Sequence, residues 1–408
     1  MTPPSDGRCF GGLLMDRFLP CALSTALVAA LTIAAPCLGG PIDTLAPGHW
    51  YEVPNSTLKA LDPCPQRNCS YSAGEGQAAV VDDWNGGAFA TGYGTKGGYI
   101  VWGGGHGGYY GNEVYVFDIA LLQWKRVSEP VANPVCNYTE GELQDGSPCA
   151  AHTFDGIDYH PGTNSFAILG VVALEEGITS SPRVHLFNFD TLKWRRGQSY
   201  TGLSQGMYTA TAYDSSRDVF WMIPAFDQPV GKYDPNANSG AGAWTNYNSY
   251  TLDSGHVASI DPTRDILVVI DGYSNHRLIV WDLKSPNSVI VPKVTGDTTP
   301  MQGYGNGFDW DPMQKVFVAW TGTSSVYTLT PPSGDWRTGT WVWSKVAAAA
   351  DNTITPTAKN GNNTYSRWRY APGVNAWVLV NRTSDNVFFY KLGAGTPAPS
   401  PPTALAAH

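Results

Sequence analysis

Tyr99-Ile100-Val101-Trp102-Gly103-Gly104-Gly105-His106 runs on to Gly111-Asn112-Glu113-Val114-Tyr115-Val116-Phe117-Asp118, and Trp124 follows. A short apolar strand enters a glycine-rich turn, a strand of alternating polarity leaves it, and Trp124 opens a third strand. The same cadence recurs along most of the chain.

The composition agrees with it. The 408 residues include 45 Gly, 30 Pro, 15 Trp and 21 Tyr, and only 14% are charged. Such a turn-rich, aromatic chain without periodic helical runs has an all-β composition. The net charge of -9 argues against non-specific nucleic-acid binding. An anionic ligand therefore needs a local basic cluster.

The repeat length is about 40–55 residues, within the propeller range. Inner strands share an ending, an apolar or aromatic residue followed by an Asp or Pro turn. It is seen at Tyr159-His160-Pro161, Tyr213-Asp214-Ser215, Ile260-Asp261-Pro262, Trp310-Asp311-Pro312 and Tyr370-Ala371-Pro372. An apolar second strand follows each ending, for example Val219 to Ile223 and Ile266 to Ile270. Third strands are read at Val184 to Phe189, Leu278 to Asp282, Val326 to Leu329 and Val387 to Tyr390. Trp124, Trp194, Trp244 and Trp343 mark fourth strands. Trp50-Tyr51-Glu52-Val53 has the fourth-strand form with no first three, and the last repeat lacks its fourth. Residues 49–53 are therefore expected to complete the last blade, which removes exposed sheet edges. First strands near residues 87, 153, 208, 256, 305 and 366 predict an all-β, six-bladed β-propeller. A seventh blade stays open if residues 57–80 hide a degenerate one.

The propeller domain is placed at 48–393, and the Pro- and Ala-rich 394–408 reads as a disordered tail. Residues 1–40 read as a signal peptide region, with Met15 an alternative start. Their charged, apolar and small-residue order implies a secreted or periplasmic protein with no membrane span, and a monomer is expected. In that setting Cys64 with Cys69, and Cys136 with Cys149, form the simplest disulfide pairs. Free thiols are the alternative. No histidine pair at ligand spacing supports a zinc site. No cofactor is expected, and a structural divalent cation stays open.

In an up-and-down propeller, inner-strand starts and the loops joining second to third strands share one face. Four histidines, several tyrosines and two arginines converge there, the arrangement expected of a binding or active site. His106, His152, Tyr208, His256 and Arg367 are the candidate catalytic residues. Trp84, Asn85, Tyr109, Tyr304, Asn306 and Arg382 are the candidate substrate-binding residues. Each histidine has an alternative as a satisfied turn or channel residue, and Arg367 one as a partner stacked on Trp368. Asp83, Glu175, Glu176 and Asp227 leave a two-carboxylate hydrolase open.

From Tyr99 to Trp124, and through residues 146–194, the sequence resembles kelch and galactose-oxidase-type propellers. No copper motif matches residue by residue, and sialidase Asp-boxes are absent. By fold and residue type the chain is similar to secreted propeller lyases of uronic-acid polysaccharides, such as ulvan lyases and rhamnose–glucuronate lyases. That resemblance implies a polysaccharide lyase acting on an anionic glycan. Arg367 would neutralise the carboxylate, His106 or His152 would remove the adjacent proton, and Tyr208 would protonate the leaving oxygen. A non-catalytic glycan- or protein-binding propeller is the alternative.

Overall fold

The computed structural model describes residues 40–105, 107–169, 183–201 and 208–393. His106, Glu175, Glu176, the signal-peptide reading and the tail reading lie outside the described residues. Among those described, no helix is long and apolar enough to cross a membrane.

Among the described residues, six sheets follow one another along the chain, five of them wholly antiparallel and one mixed. Their inner strands are Gly87–Ala90, Ile157–His160, Thr209–Asp214, Val257–Asp261, Gly307–Asp311 and Trp368–Ala371. Each inner strand packs against the next, and the last packs against the first, so the sheets form a closed six-bladed propeller around a channel. Residues 57–80 hold short helical turns and no strand, which excludes a seventh blade there. Blades are numbered 1 to 6 from the one beginning at Gly87.

Hairpin chemistry explains why the repeated Asp endings form these blades. Asp214 Oδ1 accepts the amides of Ser216 and Arg217, Asp261 Oδ1 those of Thr263 and Arg264, and Asp311 Oδ1 those of Met313 and Gln314. Such side-chain caps satisfy turn amides that no ladder reaches. Each turn then closes through a left-handed residue: Asp218, Asp265 and Lys315 have φ of 56°, 61° and 54°.

The outer Trp residues pack across the strand ladder. Phe117 faces Trp124, Phe187 faces Trp194, Tyr233 faces Trp244 and Leu329 faces Trp343. In blade 6 the same pair is Tyr390 with Trp50, because Trp50–Glu52 joins Phe388–Tyr390 antiparallel. That strand closes the ring. Blade 4 lacks the Trp and pairs Trp281 with Val289 instead. Separate apolar clusters fill the interfaces between neighbouring blades, such as Val116, Ile157 and Phe166 between blades 1 and 2. Blade 5 carries a fifth strand that the sequence pattern did not disclose. Lys293–Gly296 runs parallel to Thr340–Val346 on its outer edge.

Two disulfides, Cys64–Cys69 and Cys136–Cys149, pin the loops before blade 1 and between blades 1 and 2.

Candidate functional site

The inner strands of blades 1, 3 and 4 begin at Gly87, Thr209 and Val257, within a residue of where the repeats place them. Blade 2 begins later, at Ile157 rather than near His152, and blade 6 at Trp368 rather than near Ser366. A left-handed residue stands at the mouth of every blade: Trp84, Phe154, Tyr208, Gly255, Gly305 and Tyr365, with φ between 47° and 73°. For a bulky side chain this conformation costs about 1–2 kcal/mol and persists only where the surroundings enforce it. Interblade hydrogen bonds enforce it here. The Phe154 amide donates to the Trp84 carbonyl at 2.7 Å, Gly305 to Gly255 at 2.9 Å, and Tyr365 to Gly305 at 2.8 Å.

A polar residue follows each of them: Asn85, Asp155, Thr209, His256, Asn306 and Ser366, all buried. Several tie blades together. Asn85 accepts the Thr153 amide at 2.8 Å and donates to the Ala79 carbonyl at 2.6 Å. Ser366 Oγ accepts the Gly87 amide at 3.0 Å. The His256 ring nitrogens lie 2.9 and 2.7 Å from the Asp253 and Ile223 carbonyls, and burial lowers its pKa. Asn306 donates to the Pro300 carbonyl at 2.9 Å and accepts from Lys359 Nζ at 2.8 Å.

Arg367 is fully buried. Its guanidinium donates to the carbonyls of Asn85 at 2.7 Å, Val380 at 3.0 Å, Asn381 at 2.6 Å and also Asn363. Burial pulls its pKa below the usual arginine value. With its donors turned to carbonyls, it presents nothing to a carboxylate at the mouth. Tyr109 is buried as well, and both it and Tyr115 donate to Glu113 Oε1 at 2.8 Å. His152 is buried, its ring stacked on Trp84 at 5.2 Å. Arg382 is half-buried, with Nη2 3.3 Å from the Ala358 carbonyl.

What remains accessible is aromatic. Phe226, Tyr208, Tyr304 and Tyr273 form a string with ring centroids 5.9, 6.4 and 5.0 Å apart in that order. Its two ends are exposed, Phe226 at 45% and Tyr273 at 55%. Phe154 and Tyr365 pack behind it. Lys359, which sequence reading missed, reaches the string: Nζ donates to the Tyr304 carbonyl at 3.2 Å. Burial alone lowers its pKa, and among the described residues no carboxylate pairs with it. It comes from the segment before blade 6, where no repeat pattern marks it.

Asp83 adds a titrating group. It is buried, accepts from Asn362 Nδ2 at 3.3 Å, and is pushed up to about 7, first by burial and then by Glu75. Among the described residues no group of His, Cys, Asp or Glu is arranged to hold a metal ion.

No protein-family model matches the chain, and no curated protein matches it. Among solved structures, a chain of the "Crystal Structure of Mitotic Checkpoint Complex" is similar at 10% identity, covering 90% of this chain and 99% of that one with a TM-score of 0.42. A likeness that weak carries no argument about this protein's chemistry.

Proposed function

We propose that the mouth face binds a carboxylate-bearing glycan. The reading rests on the aromatic string from Phe226 to Tyr273, whose exposed ends offer ring faces for sugar stacking. Lys359 supports the anionic class, since it places an ammonium without a counter-charge beside Tyr304 in a chain of net charge -9. Recognition of this kind needs no bond to be broken.

A catalytic extension has one supporting observation, the Asp83 carboxyl at about 7, poised for proton transfer near neutral pH. In a uronate β-elimination such a group would serve as base or acid. The carboxylate would lie on Lys359, because Arg367 is turned to backbone carbonyls.

Calorimetric titration with polyuronate oligosaccharides tests the binding reading. Tyr273→Ala and Lys359→Gln should each weaken binding about tenfold, the Lys359 loss shrinking at high salt. Equal affinity for a neutral oligosaccharide of the same length would remove the anionic class. No affinity for either would remove the site. Ultraviolet absorbance of an unsaturated uronate, present in the wild type and lost in Asp83→Asn, distinguishes turnover from binding.

A further inference from the structure

The other end of the channel, where the inner strands finish, holds a cavity of about 280 Å³ lined from all six blades. The repeat determines what faces it. Four residues beyond the left-handed mouth residue of blades 2 to 6 stand Asp158, Ala212, Ser259, Asp309 and Arg369, two small or hydroxyl-bearing side chains and three charged ones, while blade 1 lines the cavity with Phe89 and Thr91.

The charged ones form ion pairs but do not close to hydrogen-bond distance. Arg369 is 6% exposed, yet its Nη2 has no hydrogen-bond partner. The carboxylate oxygens beside it stay 3.8 Å away at Asp155 and 3.7 Å at Asp309, and Nε reaches the Gly87 carbonyl only at 3.4 Å. Arg–carboxylate pairs normally close to about 2.7–2.9 Å.

The acids are held back by backbone. Asp158 accepts the amides of Tyr159 and Tyr213, both at 2.8 Å. Asp309 accepts those of Trp310 at 2.8 Å and Tyr370 at 3.1 Å, together with Ser259 Oγ at 2.9 Å. Asp155 accepts the Ala258 amide at 2.9 Å. Several of these bonds join different blades, so the carboxylates cannot swing onto the guanidinium without giving up interblade contacts. Each oxygen keeps acceptor capacity beyond the amide it already holds. A donor set and an acceptor set thus line the same cavity without closing on each other. Trp310, whose ring forms part of the wall, likewise has an indole N–H without a partner.

The ligand class follows from this division. An anion would satisfy Arg369 but face pinned carboxylates. An ammonium would satisfy the acids and leave the guanidinium unpaired beside a like charge. The described residues hold no metal-binding group. Hydroxyl groups accept and donate at once, and the apolar ring walls suit the carbon skeleton that carries them. The volume lies just below the usual small-molecule range of about 300–1,000 Å³.

We propose that this cavity is a binding site for a small neutral polyhydroxylated molecule, a monosaccharide or polyol, whose hydroxyls accept from Arg369 and donate to Asp158 and Asp309. The site is independent of the mouth reading, since it shares no residue with it.

Calorimetry with D-glucose, D-galactose, myo-inositol and glycerol at millimolar concentrations tests it. At least one should bind with unit stoichiometry. Ala212→Leu, which fills the cavity without removing a charge, should weaken that binding at least tenfold, and Arg369→Lys should do the same. Tyr273→Ala at the mouth should leave it unchanged. A crystal soaked in the tightest binder should place hydroxyls on Arg369 and Asp309, and this reading stands even if a variant fails to fold. No heat from any of the four compounds, undiminished binding in a folded Ala212→Leu, or ordered water alone in the soaked cavity would overturn the proposal.

Discussion

At the residue scale, the channel acids make stability depend on pH in a definite direction. Burial pushes Asp155 up to about 7 and Asp158 up to about 6 against the pull of Arg369. Folded, both carboxyls keep protons that an unfolded chain would release above about pH 4. Their contribution to stability is therefore complete below about pH 4 and is lost as pH rises through about 6 and about 7. His185 acts in the opposite sense. Burial lowers it to about 3, so its neutral form favours folding above about 6.5, and that stability is lost as pH falls towards about 3. The two effects oppose each other over the same range, so a comparison of variants is needed to separate them. Urea unfolding at pH 4.5 and pH 7.5 should show Asp158→Asn losing less stability over that rise than the wild type. An unchanged difference would place the Asp158 proton elsewhere.

At the scale of elements, the hairpins show what local chemistry makes legible. Asp214, Asp261 and Asp311 stand out in the chain because an Asp ending a strand has a specific task, capping the turn amides. The Trp residues stand out because a large ring on an outer strand faces an aromatic or apolar partner across the ladder. Lys293–Gly296 carries no such mark, since its pairing partner lies in the following blade and its own side chains are mostly exposed. The left-handed closing residue is a place to gain stability. Lys315 is exposed at φ 54°, and its amide already closes the turn onto the Asp311 carbonyl at 2.8 Å. Lys315→Gly removes the Cβ clash and should raise unfolding stability by roughly 0.5–1 kcal/mol. A lower urea midpoint would mean that the turn is held by the lysine side chain.

At the scale of the whole molecule, the same ring that was readable from its repeats made its mouth hard to read. Polar residues at strand starts point toward chemistry when each is considered alone. Asn85, His256 and Ser366 bond instead to backbone groups, in neighbouring blades or nearby turns, and Arg367 binds four carbonyls. Sequence carries no sign of that, because the partners are main-chain atoms supplied by distant residues. Lys359 and Arg369 went unnoticed for the converse reason: one lies outside the repeats, and the other is an inner-strand residue beyond the mouth. Closure itself is testable. Trp50 is buried, donates through Nε1 to the Ser324 carbonyl at 2.8 Å and packs on Tyr390 at 4.9 Å. Trp50→Ala should cost about 3–5 kcal/mol and promote aggregation through the edge of Phe388–Tyr390. Full retention of the thermal midpoint and of the wild-type elution peak in gel filtration would show that the ring holds without this strand.

The seam has a consequence for how the chain is made. Asn386 Nδ2 bonds Glu52 Oε1 across 334 residues, beside the pairing of Trp50 with Tyr390. A nascent polypeptide leaving the ribosome holds Trp50–Glu52 long before Phe388–Tyr390, the strand that partners it, has been made. Contacts of such long sequence separation form slowly, and a waiting apolar segment is prone to capture by other chains. Closure of the ring thus waits on the synthesis of Phe388–Tyr390, and holding chaperones have their greatest opportunity in the interval before Tyr390 emerges.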